Sequence, residues 1–90
     1  MKNCMKIEFK KPAEKFLKSR SRKEQIRLLS EIYKLPDGKH VKKMEGYDNR
    51  YRLRVGDFRV IYDMYTDVAG DCDTKVILVV EIGNRGDVYK

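Results

Sequence analysis

Four arginines near the middle of the chain are spaced in a way that could do chemistry. Arg50, Arg52 and Arg54 alternate with apolar residues, and Arg59 follows after a Gly-Asp pair. Alternate residues of a strand share one face, and each guanidinium can donate two parallel hydrogen bonds to a phosphate. The row therefore predicts a site for a polyanion. The alternative interpretation is a set of ordinary arginines that extend away from one another into water.

The charge balance of the chain fits a polyanionic partner. Its 90 residues include 21 Lys and Arg against 14 Asp and Glu, which gives a formal net charge of +7. Nucleic acid, an acidic protein or an anionic membrane surface would each be attracted. No apolar run approaches the roughly 18 residues of a membrane span, and the N-terminal sequence becomes charged before a signal-peptide core could develop. We therefore expect no membrane partner.

The two cysteines, Cys4 and Cys72, lie far apart in sequence. They form no CxxC motif, and the chain has a single histidine. These features argue against a zinc site and against the disulfide framework of a secreted mini-protein. We expect no metal, no cofactor and two reduced thiols in a cytoplasmic protein, with a single Cys4–Cys72 disulfide as the alternative.

Hydrophobic periodicity predicts the elements of the N-terminal half. Residues 4–9 alternate like a strand, and an apolar stripe after Pro12 predicts a short helix. Ser21 and Glu24 match a capping box, so a second helix is expected from there to about Leu35. The apolar face of this second helix is expected to centre on Ile26, Leu29 and Tyr33. A second row of apolar residues is expected to widen that face: Leu28, Ile32 and Leu35.

The C-terminal half changes to a period of two and predicts three strands. Residues 50–55 and 58–64 read as a hairpin, and residues 75–82 read as a central strand covered on both faces. The polar segments 39–49 and 66–74 are expected to be connections. This order predicts a single α+β domain over residues 1–90, in which an N-terminal strand and a helical hairpin pack on one face of a small, mainly antiparallel, twisted sheet.

A two-residue turn at Gly56-Asp57 would fix the register of the hairpin. Arg54 would then oppose Arg59, and Arg50 would oppose Asp63 as an ion pair. An opposed like-charge pair costs a few tenths to about 1 kcal/mol, which is tolerable on a face that binds phosphate. The opposite face of the hairpin would be apolar and would carry Tyr51, Leu53, Val55, Phe58, Val60 and Tyr62.

Three segments together resemble a known family. KKMEGY at 42–47, YRLRVGDFRVIYD at 51–63 and GNRGDVY at 83–89 resemble the RelE/ParE superfamily of toxins from type II toxin–antitoxin systems, and specifically its RelE-like mRNA interferase branch. The resemblance covers the chain from the first strand to the tail. It implies a RelE-like fold and a ribosome-dependent endoribonuclease that cleaves mRNA in the decoding site without a metal, through attack of a ribose 2′-hydroxyl on its own 3′-phosphate.

The resemblance implies roles for individual residues. The implied catalytic residues are Arg54, Arg59, Arg85 and Tyr89. The implied RNA-binding residues are Arg50, Arg52, Lys42 and Lys43. Arg59 and Arg85 suit the clamping of phosphate oxygens, whereas Tyr89 could stack on a base, orient the 2′-hydroxyl or simply pack on the sheet.

The proton acceptor is less defined, because this chain has arginine where the best-known members have lysine. Arginine stays protonated and is a poor general base. Glu45 and His40 are therefore candidate general bases, although His40 also fits an ordinary solvated residue. Tyr89 and the lysines Lys39, Lys42 and Lys43 stay open as well, as does catalysis by positioning without a strong base.

The resemblance also implies partners. These are a cognate acidic antitoxin that covers the basic face, the ribosome with its mRNA, and operator DNA only through the antitoxin complex. Two other functions stay open at this point. One is ParE-like inhibition of DNA gyrase through a protein contact, and the other is a non-catalytic basic binding module that acts as a co-repressor.

Overall fold

Two helices pack against one face of a five-stranded sheet in the described part of the chain. The structure, a computed structural model, describes residues 4–35, 40–69 and 72–84, without the side chains of Cys4, Ala69 and Cys72. Its elements are β1 (Cys4–Phe9), α1 (Lys11–Ser19), α2 (Arg22–Ile32), β2 (Val41–Lys43), β3 (Arg50–Val55), β4 (Phe58–Ala69) and β5 (Cys72–Asn84). The predicted α+β class is confirmed. Neither helix is long and apolar enough to cross a membrane.

The strand order is β1-β5-β4-β3-β2. β1 pairs with β5 in parallel, whereas the other neighbours are antiparallel. The N-terminal strand is therefore an edge of the sheet itself, and only the helices form the second layer. The chain between β1 and β5 contains both helices and the other three strands, so it is long enough for a parallel pair, which a tight turn cannot join.

The second helix begins where the capping box predicts. Ser21 Oγ accepts a hydrogen bond from the amide of Glu24, and the Glu24 carboxylate accepts one from the amide of Ser21, each at 3.3 Å. Two amides of the first turn are thereby satisfied. The helix ends at Ile32, three residues before the predicted end, and tighter turns with hydrogen bonds between residues i and i+3 lead to Leu35.

The predicted centre of the apolar face of α2 was wrong. Ile26 and Tyr33 are 60% and 61% exposed, whereas the row of Leu28, Ile32 and Leu35 is fully buried. Apolar residues occupy two sides of this helix, and a single sheet face can cover only one stripe of it. Periodicity alone could not choose between the two rows, and packing chooses the second.

Two segments predicted to be connections contain strand. Residues 41–43 form β2, because the outer edge of β3 offers its backbone groups: Arg54 N–H donates to His40 O at 3.0 Å, and Met44 N–H donates to Arg50 O at 2.9 Å. A short, lysine-bearing strand is a usual way to end a sheet. Similarly, β4 and β5 continue through most of 66–74, because backbone pairing of the hairpin does not require apolar side chains.

The core lies between the helices and the sheet. A shift in register between Ile61 and Tyr62 places Val60 opposite Ile82 and Tyr62 opposite Val79, so the bulge keeps both pairs on the helix side. The cluster consists of Ala13, Leu28, Ile32, Leu35, Leu53, Val55, Phe58, Val60, Tyr62, Ile77, Val79 and Ile82. Val76 and Ile77 are adjacent in β5 and both buried, whereas Glu81 is exposed, so the strand is buried on both faces over only part of its predicted length.

Candidate nucleic-acid interface

The hairpin of β3 and β4 has the predicted register. Val55 pairs with Phe58 across the turn, Arg54 with Arg59, and Arg50 with Asp63. Gly56 has a φ of +58°, in the left-handed region that residues other than glycine adopt only at an energetic cost. The turn thus fixes which residues share a face, and the arginines lie on the face away from the helices.

Arg50 is tied to the protein rather than held out toward solvent. Its Nε lies 2.7 Å from Asp63 Oδ1, and its Nη2 lies 3.1 Å from Asp63 Oδ2, which confirms the predicted ion pair. Its Cζ also lies 4.8 Å from the centroid of the Tyr47 ring. The hydrogen bonds that Arg50 donates to the Asp63 carboxylate raise the pKa of Arg50, which keeps the guanidinium charged.

A groove runs over β2 and β3 on the arginine face. Because Lys42 pairs with Arg52, the two side chains share that face, and the His40–Arg54 backbone hydrogen bond continues the same register. One hollow of about 210 Å³ is lined by His40, Val41, Lys42, Arg52 and Arg54. A second, of about 260 Å³, is lined by Lys42, Lys43, Met44, Glu45 and Arg52. The hollows share Lys42 and Arg52, and we call them together the β2–β3 groove.

The β2–β3 groove brings together predicted residues that are up to 14 positions apart in sequence. Four of its eight lining residues are lysines or arginines, and Glu45 and His40 carry the side chains of this lining that can serve as proton acceptors. Facing cations repel one another, so a bound anion would relieve this repulsion. The arrangement can therefore hold a phosphate beside a proton acceptor.

Arg59 occupies a different environment from Arg54, although the two are paired. Arg54 is exposed, whereas Arg59 is only 3% exposed and lies between Arg54 and Gly83 in the sheet. Arg59 also interacts with other groups of the protein. Although they are paired in the sheet, Arg54 therefore lies at the surface and Arg59 lies below it. In this conformation Arg59 does not present a guanidinium at the surface.

Several predicted residues lie outside the described ranges. These are the catalytic candidates of the tail, Arg85 and Tyr89, and the candidate base Lys39. The thiols of Cys4 and Cys72 are not described either, so their predicted reduced state stays a prediction.

Sequence reasoning missed two residues next to the predicted site. Tyr47 is half exposed and packs on Arg50; an aromatic residue within a basic loop was the available signal. Arg27 of α2 lies against the hairpin turn, because a Cβ at Gly56 would come within 2.7 Å of Arg27 Nη2. That contact crosses from helix to turn, and no local pattern in the sequence signals it.

These features define a class of protein: a small basic α+β domain with a cationic groove on the open face of its sheet. The structure is similar to a chain in the crystal structure of the RelB–RelE antitoxin–toxin complex from Methanococcus jannaschii, with a TM-score of 0.67 and 27% sequence identity over 91% of this chain and 94% of that chain. The protein therefore has the RelE-like toxin fold, as the sequence resemblance predicted. No family model and no curated protein matches the sequence.

Proposed function

We propose that the protein is the toxin of a type II toxin–antitoxin system and acts as a ribosome-dependent endoribonuclease that cleaves mRNA without a metal. The RelE-like fold supports this proposal. The observation that carries it is the β2–β3 groove, where the candidate bases His40 and Glu45 line the same surface as Arg52 and Arg54. A surface built only to attract anions would not need a proton acceptor among its cations.

The proposed reaction needs no water in its first step. A base takes the proton of a ribose 2′-hydroxyl, the resulting oxygen attacks the adjacent phosphorus, and the bond from phosphorus to the 5′-oxygen breaks. The products are a 2′,3′-cyclic phosphate and a 5′-hydroxyl, once the leaving oxygen has taken up a proton. Exposed Arg54 would bind the phosphate whose negative charge grows in the transition state.

The other proposed residues take supporting parts. Lys42, Lys43 and Arg52 would bind RNA phosphates along the groove through the salt-dependent electrostatic attraction of cations for the backbone. Arg50 would contribute its charge from its ion pair with Asp63. Arg85 and Tyr89 would act from the tail, as a phosphate clamp and as a stacking or orienting residue.

Arg59 would reach a phosphate only after the groups that bury it move aside. Its substitution therefore tests folding and catalysis together, because removing a buried side chain leaves a cavity. Arg59→Lys keeps a cation of similar length but loses the planar fork. We expect this variant to lose cleavage while its thermal unfolding midpoint stays closer to that of the parent than that of Arg59→Ala.

Cell-free translation with primer extension on the message tests the proposal. The full chain should produce new 5′ ends within ribosome-bound mRNA, and none in the same message without ribosomes. Arg54→Gln should reduce them strongly. Arg22→Gln, an exposed arginine at the start of α2, is the matched control and should cleave normally. An intact message would contradict the proposal, and inhibited supercoiling by gyrase would then favour the ParE-like alternative.

The two candidate bases can be separated by their pH–rate profiles. Removing a general base costs about 100- to 10,000-fold in rate. His40→Gln and Glu45→Gln should therefore differ sharply, and only the true base should also remove the acidic limb of the profile. If both variants keep the parental profile, neither residue is the base.

We also propose an acidic antitoxin as the partner that blocks the β2–β3 groove. The similar solved chain comes from an antitoxin–toxin complex, which supports this partner. The ribosome and its mRNA would be the targets, and operator DNA would be bound only through the antitoxin complex. An acidic polypeptide encoded next to this gene should co-purify with the protein and compete with RNA. Simultaneous binding of both would contradict a shared surface.

A further inference from the structure

We propose that Tyr47 forms a nucleobase-stacking subsite at the end of the β2–β3 groove. The inference rests on the proposed RNA binding and adds to it the class of ligand group that this position takes: the flat face of an unpaired base. Tyr47 ends the KKMEGY segment that carries the sequence resemblance, but the resemblance implies no role for it.

The first observation is the presentation of the Tyr47 ring. The loop between β2 and β3 is closed at its base by the hydrogen bond from Met44 N–H to Arg50 O, and Asn49 O accepts from Met64 N–H of β4 at 3.0 Å. Gly46, with a φ of +83° and open space where a Cβ would be, turns the chain immediately before Tyr47. The result is an anchored loop whose aromatic residue is 49% exposed.

The second observation is that the ring is supported from within the protein. The Arg50 guanidinium carbon lies 4.8 Å from the ring centroid, and that guanidinium is itself fixed by two hydrogen bonds to Asp63. A ring that is already held loses little conformational freedom when a base stacks on it. The partly exposed ring is thus a preorganised platform, and the Arg50 cation adds cation–π attraction to it.

The third observation is the position of Tyr47 beside the cations of the groove. Glu45 and Lys43, which line the groove, precede it by two and four residues in the same loop and strand. A ligand that carries phosphates along its length and flat rings at its sides is single-stranded nucleic acid. In a duplex those rings are stacked on one another and unavailable. Tyr33, which caps the C-terminal end of α2, is more exposed, but it lies in the helix layer, on the other side of the sheet from the groove.

Binding of a single-stranded oligoribonucleotide that contains 2-aminopurine tests the subsite with the full-length chain. Tyr47→Ala should weaken binding about tenfold, the usual effect of losing one base–aromatic stack, and should reduce the quenching of 2-aminopurine fluorescence. Tyr47→Phe keeps the ring and should restore both. Tyr33→Ala is the matched control and should leave both unchanged. Circular dichroism should show the same fold in all of them.

Salt titration separates stacking from charge. Tyr47→Ala should weaken binding by a similar factor at every salt concentration, because stacking releases no counterions. Lys42→Ala should instead reduce the slope of log K against log salt by the amount that corresponds to the loss of about one phosphate contact. A changed slope in Tyr47→Ala, with unchanged quenching, would assign Tyr47 to the orientation of Arg50 and overturn the stacking subsite.

The outcomes also separate this inference from the proposed function. If the parent chain binds the oligoribonucleotide and cuts mRNA on the ribosome while Tyr47→Ala does both equally well, the subsite is wrong and the proposed function stands. If the parent neither binds single-stranded RNA at low salt nor cuts mRNA, both are wrong.

Discussion

The two faces of the β3–β4 hairpin have different roles: one stabilises the fold, and the other carries the charges proposed to bind RNA. On the helix side, Leu53, Val60 and Tyr62 are almost completely buried. On the other side, the same strands carry the arginines, two of them directly opposed. Burial of apolar surface stabilises the fold, whereas opposed like charges weaken the sheet. The helix-side face therefore supplies the stability that makes a repulsive, phosphate-seeking face tolerable.

The arginine face is itself uneven. Arg50 is held by Asp63, Arg54 is exposed and Arg59 is buried. These three arginines share one face of the hairpin and yet have three different environments. Arg54, the exposed one of these three, lines the groove and can meet a ligand without rearrangement.

The largest expected effect comes from the helix-side face. Leu53→Ala removes a fully buried side chain and should lower the free energy of unfolding by about 2–5 kcal/mol, measured by urea denaturation followed by circular dichroism. Its neighbour on the other face, changed as Arg54→Gln, is the control and should not be destabilised. A loss below about 1 kcal/mol for Leu53→Ala would mean that the two faces do not differ in packing as described.

The next effect concerns Tyr62, which stacks on Tyr51 with ring centroids 5.6 Å apart. Burial raises the pKa of Tyr62 from 10.0 to about 12, because the charged phenolate is poorly solvated. Folding therefore favours the protonated form. This contribution is complete below pH 10 and is lost as the pH rises toward about 12.

Since one pH unit corresponds to about 1.4 kcal/mol, the free energy of unfolding should fall by roughly 2–3 kcal/mol across that window through Tyr62 alone. Urea denaturation at several pH values checks this, and Tyr62→Phe should lose that part of the pH dependence. Identical pH dependence in parent and variant would show that the helix-side face does not protect Tyr62.

How much of this comparison the sequence predicts depends on what sets each feature. A period of two and a Gly-Asp turn determine the register, so the Arg54–Arg59 and Arg50–Asp63 pairs could be predicted. The depth of a residue is set by what packs above it, so the burial of Arg59 could not. The groove depends on β2, which is formed by backbone pairing of a polar segment. The sequence therefore could not predict that His40 and Glu45 line the same groove as the arginines.

The turn that joins the two faces gives a smaller effect. Gly56→Ala places a Cβ at a φ of +58° and close to the Arg27 guanidinium, and should cost about 1 kcal/mol in the free energy of unfolding. The end of the Arg27 side chain can move away, so most of the cost comes from the backbone. Adding Arg27→Ala should then recover little of it. A full recovery would instead make the side-chain contact the cause.

The smallest expected effect is that of Arg54→Gln, which should stabilise the fold and weaken RNA binding. Arg54→Gln removes the charge that opposes Arg59 and should raise the free energy of unfolding by a few tenths to about 1 kcal/mol at low salt. The gain should shrink as salt screens the repulsion. Urea denaturation at two salt concentrations measures it, with Arg22→Gln as the exposed control.

The same variant should bind RNA more weakly. If Arg54→Gln instead destabilised the fold, Arg54 would be a structural residue. If it stabilised the fold and weakened RNA binding, the repulsion between Arg54 and Arg59 would be a cost in stability that accompanies RNA binding.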